Sequence, residues 1–214
     1  MTSPGPNFHR PNRGRLEIIV ATRNKGKVRE IRRALKGLGL KIHSLNDFSD
    51  APEIEEDGKT FTENALKKAR FYSKYFGKIT IADDSGLEVD ALKGWPGVFS
   101  ARYAGKGASN RERNQKLLRE MEGIRISKRG ARFKCVMVMV SQDGKEEVVE
   151  GSCRGRIGFK ALGKRGFGYD PVFVLPQYGK TMAQLTLEEK NKVSHRGKAL
   201  RKLRKTIVRT LRTL

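Results

Sequence analysis

The sequence has few cysteines and no long apolar run. Its two cysteines, Cys135 and Cys153, are far apart and lie in apolar, strand-like segments. We therefore expect buried, reduced thiols in a protein of the cytoplasm. The longest apolar run covers residues 135–140, which is far too short to span a membrane. The residues near residue 1 lack the apolar segment that a signal peptide contains, so we expect no signal peptide.

Acidic residues are also scarce. The chain has 46 Lys and Arg residues against 23 Asp and Glu residues, a formal net charge of +23. Such a charge predicts attraction to polyanions such as nucleic acid, nucleotides or acidic membrane surfaces, although a merely solubilising surface explains it equally well. Residues 196–214 contain no acidic residue at all, and their apolar residues at helical spacing predict a final basic helix.

Strand and helix patterns alternate along the first half of the chain. Apolar segments at residues 16–21 and 40–45 predict strands, and helical patterns follow the polar turn at residues 22–27 and the loop at residues 46–59. A β-hairpin is predicted in the middle, within residues 131–155. These patterns predict an α/β fold on a mixed sheet, with two lobes around one central cleft.

The two ends of the chain differ from its middle. Residues 1–15 are basic and lack hydrophobic periodicity, so we expect a disordered leader. Residues 16–214 then form a single two-lobed domain that ends in the basic helix. Capping-box patterns beginning at Thr60, Ser109 and Thr186 predict the starts of three helices within this domain.

An apolar strand beginning near Ile81 runs directly into two adjacent carboxylates, Asp83 and Asp84. Charge at the end of a buried strand costs free energy unless a cation or a metal compensates it. We therefore expect chemistry here, with a turn at Ser85-Gly86 after the carboxylates. Because side chains alternate across a strand, both carboxylates face the same way only if the strand has already turned.

Three further polar clusters are candidates to join these carboxylates: the turn at residues 22–27, the acidic pair Glu55 and Glu56, and the basic residues within 190–196. Acidic residues in two separate places suit Mg²⁺, which takes one or two carboxylates with water and phosphate oxygens. The strand-turn-helix unit offers amides to an anion. Phe167, flanked by glycines, suits stacking on a nucleobase, although a core position is the commoner role. Together these features indicate metal-assisted hydrolysis of a nucleotide phosphate, with a carboxylate accepting the proton of water.

Five blocks of the sequence, in this order, resemble the inosine triphosphate pyrophosphatase family. They are ATRNKGKVREI, EEDGKTFTENALKKA, ADDSGLEVDALKGWPGVFSARYAG, GFGYDPVF and LTLEEKNKVSHRGKAL, and they cover most of residues 18–203. The resemblance implies an elongated mixed sheet flanked by helices, a homodimer and Mg²⁺ as cofactor. It also implies hydrolysis of non-standard purine nucleoside triphosphates (ITP, dITP, XTP) to the monophosphate and pyrophosphate, which cleanses the nucleotide pool.

The resemblance also implies roles for individual residues. Asp84 would be the catalytic proton acceptor and a metal ligand, with Glu55 or Glu56 as the other metal-binding position and Asp83 as a supporting ligand or a turn-stabilising residue. A cationic or amide donor in the base pocket would favour the 6-oxo group that adenine lacks. The implied substrate-binding residues are Thr22, Arg23, Asn24, Lys25, Gly26, Lys27, Ser85, Phe167, Gly168, Tyr169, Asp170, Lys190, His195 and Arg196.

The basic character of the chain leaves a second function open. A nucleic-acid-binding protein without nucleotide hydrolysis would explain the charge, but carboxylates cluster where a phosphate backbone would be repelled, and no recognised nucleic-acid motif is found. The basic stretch at residues 160–165 precedes the matching block GFGYDPVF and departs from the family pattern. The only tryptophan, Trp95, is expected in the core, in a cleft wall or in a dimer contact, and not in the chemistry.

Overall fold

The computed structural model describes residues 16–213, which form a seven-stranded mixed sheet flanked by five α-helices. The strands are β1 Glu17–Val20, β2 Lys41–Ser44, β3 Ile79–Val89, β4 Gly130–Val140, β5 Glu146–Ile157, β6 Phe173–Leu175 and β7 Lys180–Thr181. The helices are α1 Lys25–Ala34, α2 Phe61–Phe76, α3 Asn110–Glu120, α4 Leu187–Val193 and α5 His195–Thr213. This confirms the predicted α/β class and the mixed sheet. The leader predicted at residues 1–15 lies outside the described residues.

The sheet has a parallel half and an antiparallel half. Its strand order is β2-β1-β3-β4-β5-β6-β7. Strand β1 pairs in parallel with β2 and β3, whereas every later neighbour is antiparallel. Strands β4 and β5 form the predicted hairpin. Since β1 and β3 are parallel neighbours, the turn that follows β1 lies beside the carboxylates of β3, which brings two of the predicted polar clusters together.

Strand β3 corrects one prediction. The turn expected at Ser85-Gly86 is wrong, because both residues lie inside an eleven-residue strand that pairs with β4 along its length. Gly86 is required for a different reason. A Cβ atom there would lie 2.3 Å from the carbonyl oxygen of Gly97 and 2.6 Å from the Ser100 hydroxyl, so the glycine permits a close approach of the 97–100 segment to the strand.

The two faces of the sheet pack against different helices. Alternate residues of β1, β3 and β4 point to opposite faces, as a strand requires. Ile79 and Ile81 of β3 belong to the apolar cluster that includes residues of α1 and α5. Ala82 belongs to the cluster that includes residues of α2. A third cluster covers the other end of the sheet, from Leu87 to Leu185. Asp83 and Asp84 continue this alternation, so they face different helices.

The helix starts follow the predicted capping patterns closely. Ser109 and Thr186 both form complete capping boxes with the glutamate three residues later. Thr60 accepts the N–H of Glu63 at 3.1 Å, but the Glu63 carboxylate accepts from the Lys59 N–H and not from that of Thr60. The cap at Thr60 is therefore one-sided, and α2 still begins where predicted.

The exposure of individual side chains tests the expectations about the cysteines and the tryptophan. Cys135 and Cys153 are free and buried, as predicted. Trp95 is 53% exposed and stacks on Phe99 with ring centroids 5.2 Å apart, so it is not a core residue of this chain. Within residues 16–213, no helix has the length and apolarity needed to cross a membrane.

Candidate functional site

A cleft of about 250 Å³ lies where the turn after β1, strand β3, the start of α5 and the loop before β6 meet. Thirteen of the predicted site residues line it: Thr22, Asn24, Lys27, Glu56, Asp84, Ser85, Phe167, Gly168, Tyr169, Asp170, Lys190, His195 and Arg196. Arg23, Lys25, Gly26, Glu55 and Asp83 do not line it. Residues that are more than 160 positions apart in the chain are thus brought to one cavity.

The turn between β1 and α1 presents Thr22, Asn24 and Lys27 to the cleft and uses some of its backbone N–H groups for internal hydrogen bonds. The Asn24 side-chain oxygen accepts the N–H groups of Gly26 at 2.9 Å and Lys27 at 3.1 Å, which caps α1. Thr22 accepts the Asn24 N–H at 3.2 Å. An anion at this turn would therefore meet the Lys27 ammonium, the Asn24 amide and the positive end of the helix dipole.

Three neighbours in this turn have other surroundings. The Arg23 guanidinium donates to the carbonyls of Leu45 at 2.9 Å and Ala51 at 2.8 Å, so it tethers the turn to the β2 side of the sheet. Lys25 is exposed and is not among the residues that line the cleft. Gly26 lies against the Phe167 ring, where a Cβ atom would come within 2.4 Å of it. These three residues shape the turn from outside the cavity.

Asp83 is enclosed by cations on the α5 face of β3. Its Oδ2 atom lies 3.1 Å from the Lys27 ammonium and 3.0 Å from Arg196 Nη2, and it is also 3.4 Å from the Ser85 hydroxyl. The residue is 1% exposed. Burial alone would raise the pKa of the Asp83 carboxyl, but Lys27, Arg196 and Lys68 hold it well below its usual range. Asp83 is therefore a fixed negative charge beneath the cleft.

Asp84 faces α2 and opens into the cleft. One carboxylate oxygen accepts the Asn64 side-chain N–H₂ at 2.9 Å, and the other accepts the Ser85 N–H at 2.8 Å. The residue is 5% exposed. Burial raises the pKa of the Asp84 carboxyl above its ordinary value, although the ammonium groups of Lys68 and Lys27 oppose this rise. A buried carboxylate with a raised pKa in a cleft suits the acceptance of a proton or the binding of a cation.

Two residues of α2 that the sequence interpretation missed organise this side of the cleft. The Lys68 ammonium donates to Glu56 at 2.5 Å and to the Asp83 carbonyl at 2.7 Å. Asn64 accepts the Gly58 N–H at 2.8 Å while it donates to Asp84. Their i, i+4 spacing on a helix that directly follows the acidic loop was the available signal, since such residues share one helix face.

A buried network of alternating charges connects β3 to the loop before β6. Arg196 pairs with Asp83 and, at 2.7 Å, with Glu30 of α1. Glu30 also pairs with Lys190 at 2.8 Å, and Lys190 contacts Asp170. All five side chains are at most 4% exposed. Glu30 was missed because it lies in a helix rich in exposed charges, and only its burial distinguishes it.

The aromatic end of the cleft rests on this network. The Phe167 ring lies 4.6 Å from the Lys190 ammonium and 5.3 Å from the Arg196 guanidinium, which are cation–π distances. Its backbone N–H donates to Asp170 at 2.8 Å. His195 stacks on Phe133 at 4.5 Å. Burial, together with the charges of Arg196 and Lys190, holds the pKa of the His195 imidazole well below its ordinary value, so this side chain is neutral.

The donor set of the cleft suits a hard divalent cation. Among the described residues, no three His, Cys, Asp or Glu side chains converge as a metal cage. Glu56 and Asp84 both line the cleft, and the Lys68 cation already lies against Glu56 and acts electrostatically on Asp84. Glu55 is exposed and outside the lining. Two oxygen ligands with open space beside them match Mg²⁺, which keeps waters and takes phosphate oxygens.

Known proteins resemble the chain over most of its length. It matches the Ham1 family over residues 18–206. It is 53% identical over 183 residues to a dITP/XTP pyrophosphatase of Geobacter sulfurreducens, with 86% of this chain and 92% of the relative covered. It is 48% identical over 187 residues to one of Desulforamulus reducens, with 87% and 93% covered.

Solved structures agree with this match. The HAM1 protein of Coxiella burnetii superposes with a TM-score of 0.81 at 43% identity, and the superposition covers 91% of this chain and 99% of that protein. The Ham1 protein of Staphylococcus aureus superposes with a TM-score of 0.79 at 39% identity, covering 89% and 97%. These likenesses confirm the family predicted from the five sequence blocks. The chain belongs to the Ham1 family.

Proposed function

We propose that this protein hydrolyses non-standard purine nucleoside triphosphates, namely ITP, dITP and XTP, to the monophosphate and pyrophosphate. The observation that carries the proposal is a single cleft that is lined by three adjoining features. They are the cationic turn that caps α1, two carboxylates, and an aromatic ring that packs on basic side chains. A nucleoside triphosphate has matching parts, since phosphates, a bound cation and a base follow one another along it. The curated relatives named dITP/XTP pyrophosphatase support the same activity.

The phosphate end of the substrate would lie at the turn after β1. Lys27 and Asn24 supply charge and hydrogen bonds there, and the start of α1 adds the positive end of its dipole. The Ser85 hydroxyl, held by Arg196 Nη2 at 2.7 Å, would contact the substrate from β3. Asp83 balances Lys27 and Arg196 from below, so that these cations remain ordered before the substrate arrives.

Hydrolysis requires a water molecule that loses a proton as it attacks phosphorus. Asp84 is the proton acceptor in this proposal, because it is a cleft carboxylate whose pKa is raised by burial. Glu56 and Asp84 would hold Mg²⁺, which neutralises the charge that develops on the phosphates when it is bound. Lys68 would hold Glu56 in place through its ion pair and oppose the rise in the pKa of the Asp84 carboxyl.

The base would lie over Phe167. Gly168, Tyr169 and Asp170 complete that wall, and the Tyr169 hydroxyl is anchored to the Ser100 carbonyl at 2.9 Å. Hypoxanthine and xanthine carry a 6-oxo group that adenine lacks. A donor from the Lys190, His195 and Arg196 group would bond this oxygen, and an adenine amino group would leave that donor unpaired, which costs affinity.

The first test identifies the products. The purified protein is incubated with ITP, dITP or XTP and Mg²⁺, and the products are separated by anion-exchange chromatography. We expect the nucleoside monophosphate and pyrophosphate, with ATP turned over far more slowly. Release of orthophosphate, or ATP hydrolysed as fast as ITP, would contradict the proposal.

The second test addresses the metal. Glu56→Gln removes a charge from the cleft, and Glu55→Gln removes the same charge from the neighbouring exposed position. We expect the Mg²⁺ concentration at half-maximal rate to rise at least tenfold for Glu56→Gln and to stay unchanged for Glu55→Gln. The reverse result would assign the ligand to Glu55.

The proposal also includes the oligomeric state and the cellular location of the protein. Homodimer formation is supported by the exposed Trp95 and Phe99 rings, which lie on the surface as a stacked apolar pair. Light scattering of the purified protein tests it, and a mass of one chain would contradict it. A cytoplasmic location is supported by the two free, buried thiols and is tested by cell fractionation.

A further inference from the structure

Helix α5 has an exposed face made almost entirely of cations. Its apolar face is buried against the sheet through residues such as Leu200, Leu203 and Ile207. The sequence of the helix contains no acidic residue. Five exposed cations lie on the outer face, and we refer to them as the basic row: Lys198, Lys202, Lys205, Arg209 and Arg212.

The spacing of the basic row places its cations in a line along one side of the helix. Successive members are four or three residues apart, which places one cation on the same side of the helix at each turn. From first to last the row rises about 21 Å along the helix axis, which is the length of about six base pairs of B-DNA. A regular line of positive charge matches a regular line of phosphates.

The charge of the row is largely uncompensated. Among residues 16–213, Arg209 is the one member of the row with an acidic partner, Glu147 at 2.6 Å, and both side chains are well exposed. Lys198 donates to the Ser152 carbonyl at 2.8 Å, which leaves its charge in place. Lys202, Lys205 and Arg212 have no ion pair with any residue from 16 to 213.

The positive surface continues onto α1. Arg204 of α5 donates to the carbonyls of Ala34 at 3.0 Å and Lys36 at 3.2 Å, which ties the two helices together. Arg29 of α1 and Lys36, which follows the end of α1, are exposed, and neither pairs with an acid within the described part of the chain. The two helices therefore present one positive surface.

The chemistry of this surface favours a duplex over a single strand. The described residues of α1, α4 and α5 include no Phe, Tyr or Trp, whereas proteins that hold single strands stack bases on aromatic rings. Sequence-independent binding of a duplex backbone comes mainly from Lys and Arg side chains that neutralise phosphates. The major groove of B-DNA is about 12 Å wide and admits a helix with its side chains, whereas that of duplex RNA is deep and narrow.

We infer that the basic row binds the phosphate backbone of duplex DNA, independently of sequence. The cleft lies at the other end of α5, where His195 and Arg196 line it from the first turn. The row begins at Lys198, two residues beyond Arg196, and runs towards the opposite end of the helix. DNA on the row leaves the cleft open, so binding and nucleotide hydrolysis occur on the same molecule at the same time.

The test measures salt dependence. The full-length protein is titrated into a fluorescently labelled 20-base-pair DNA duplex at salt concentrations from 50 to 200 mM. Five phosphate contacts predict a slope of log K against log salt of about −4.5, which is a loss of affinity of roughly 500-fold over that range. The triple variant Lys198→Gln, Lys202→Gln, Lys205→Gln should reduce the slope by about 2.7.

A matched control removes the same charge elsewhere. Lys74, Lys106 and Lys128 are exposed and lie outside α1 and α5. Changing these three to Gln should leave the slope unchanged, and both triple variants should hydrolyse ITP as the parent protein does. Single variants Lys202→Gln and Lys205→Gln, each expected to reduce the slope by about 0.9, provide the same comparison without the triple substitution.

Three results would overturn the inference. Equal losses in the row variant and the control would mean that net charge alone attracts DNA. A slope near zero for the parent protein would mean that phosphates are not contacted. Tighter binding of duplex RNA or of single-stranded DNA than of duplex DNA would assign the surface to a different nucleic acid.

Discussion

Asp83 and Asp84 are adjacent in sequence and have opposite environments. Asp83 faces α5, where Lys27 and Arg196 hold its pKa well below the ordinary value despite burial. Asp84 faces α2, where burial raises its pKa and where the Asn64 amide and one backbone N–H donate hydrogen bonds to it. The alternation of side chains along β3 separates the two, because the strand carries on through the expected turn.

The comparison shows how two chemically identical carboxylates acquire different roles from their surroundings. A carboxylate surrounded by cations is held ionised, and it fixes the positions of those cations. A carboxylate that is buried with few charged partners can accept a proton or a metal ion. We therefore assign chemistry to Asp84 and the support of Lys27 and Arg196 to Asp83, and the following experiments are designed to break this assignment.

The largest effect is expected for Asp84→Asn. The amide keeps the shape of the side chain but accepts no proton, so kcat/KM for ITP should fall about 10³–10⁴-fold, which corresponds to roughly 4–5.5 kcal/mol of transition-state stabilisation. The melting temperature should stay close to that of the parent protein, since no ion pair is lost. Turnover within tenfold of the parent would remove Asp84 from the chemistry.

Asp83→Asn should affect stability first. It leaves the Arg196 guanidinium and the Lys27 ammonium without their shared carboxylate in a buried place. Breaking a buried ion pair from one side costs about 3–5 kcal/mol. Urea unfolding measures this loss directly. If Asp83→Asn folds with parental stability and is inactive, the roles of the two carboxylates are reversed.

Lys68→Met should change the pH profile of the enzyme. The Lys68 ammonium lowers the pKa of the Asp84 carboxyl, so its loss raises that pKa further. The ionised carboxylate is then formed only at higher pH, and the acid limb of kcat/KM should move to higher pH. Lys67→Met is the control, because Lys67 is exposed and pairs with Asp57 outside the cleft. Equal pH profiles for the Lys68 and Lys67 variants would mean that Lys68 does not influence the ionisation of Asp84.

The smallest effect is expected on the Asp83 side, for His195→Gln. The cations that Asp83 balances help to keep His195 neutral, with a pKa below the ordinary value. In the unfolded chain this histidine gains a proton as the pH falls through its ordinary value near 6.5, so the parent protein loses stability there. The glutamine variant should lose less stability between pH 7 and pH 5, as measured by urea unfolding at each pH. A slope equal to that of the parent would mean that His195 is protonated in the folded protein.

Much of the architecture was available from the sequence because it rests on local rules. Apolar runs predicted β1 and the hairpin of β4 and β5, and capping residues predicted the starts of α2, α3 and α4. The five sequence blocks that resemble the family predicted thirteen of the residues that line the cleft. Local rules failed at Ser85-Gly86, since a Ser-Gly pair favours a turn and only pairing with β4 keeps the strand extended there.

The parts that only the tertiary structure decided depend on long-range packing. Glu30 and Lys68 look like ordinary charges on helices, and burial against Arg196, Lys190 and Asp83 makes them part of the site. Arg23 carries the charge expected of a phosphate ligand, yet two carbonyls on the β2 side hold it outside the cleft. The sequence by itself determined the family, the elements and the chemical groups. The packing of α1, α2 and α5 on the two faces of β3 decided which groups meet, because a side chain's charge and exposure depend on neighbours that are distant in the chain.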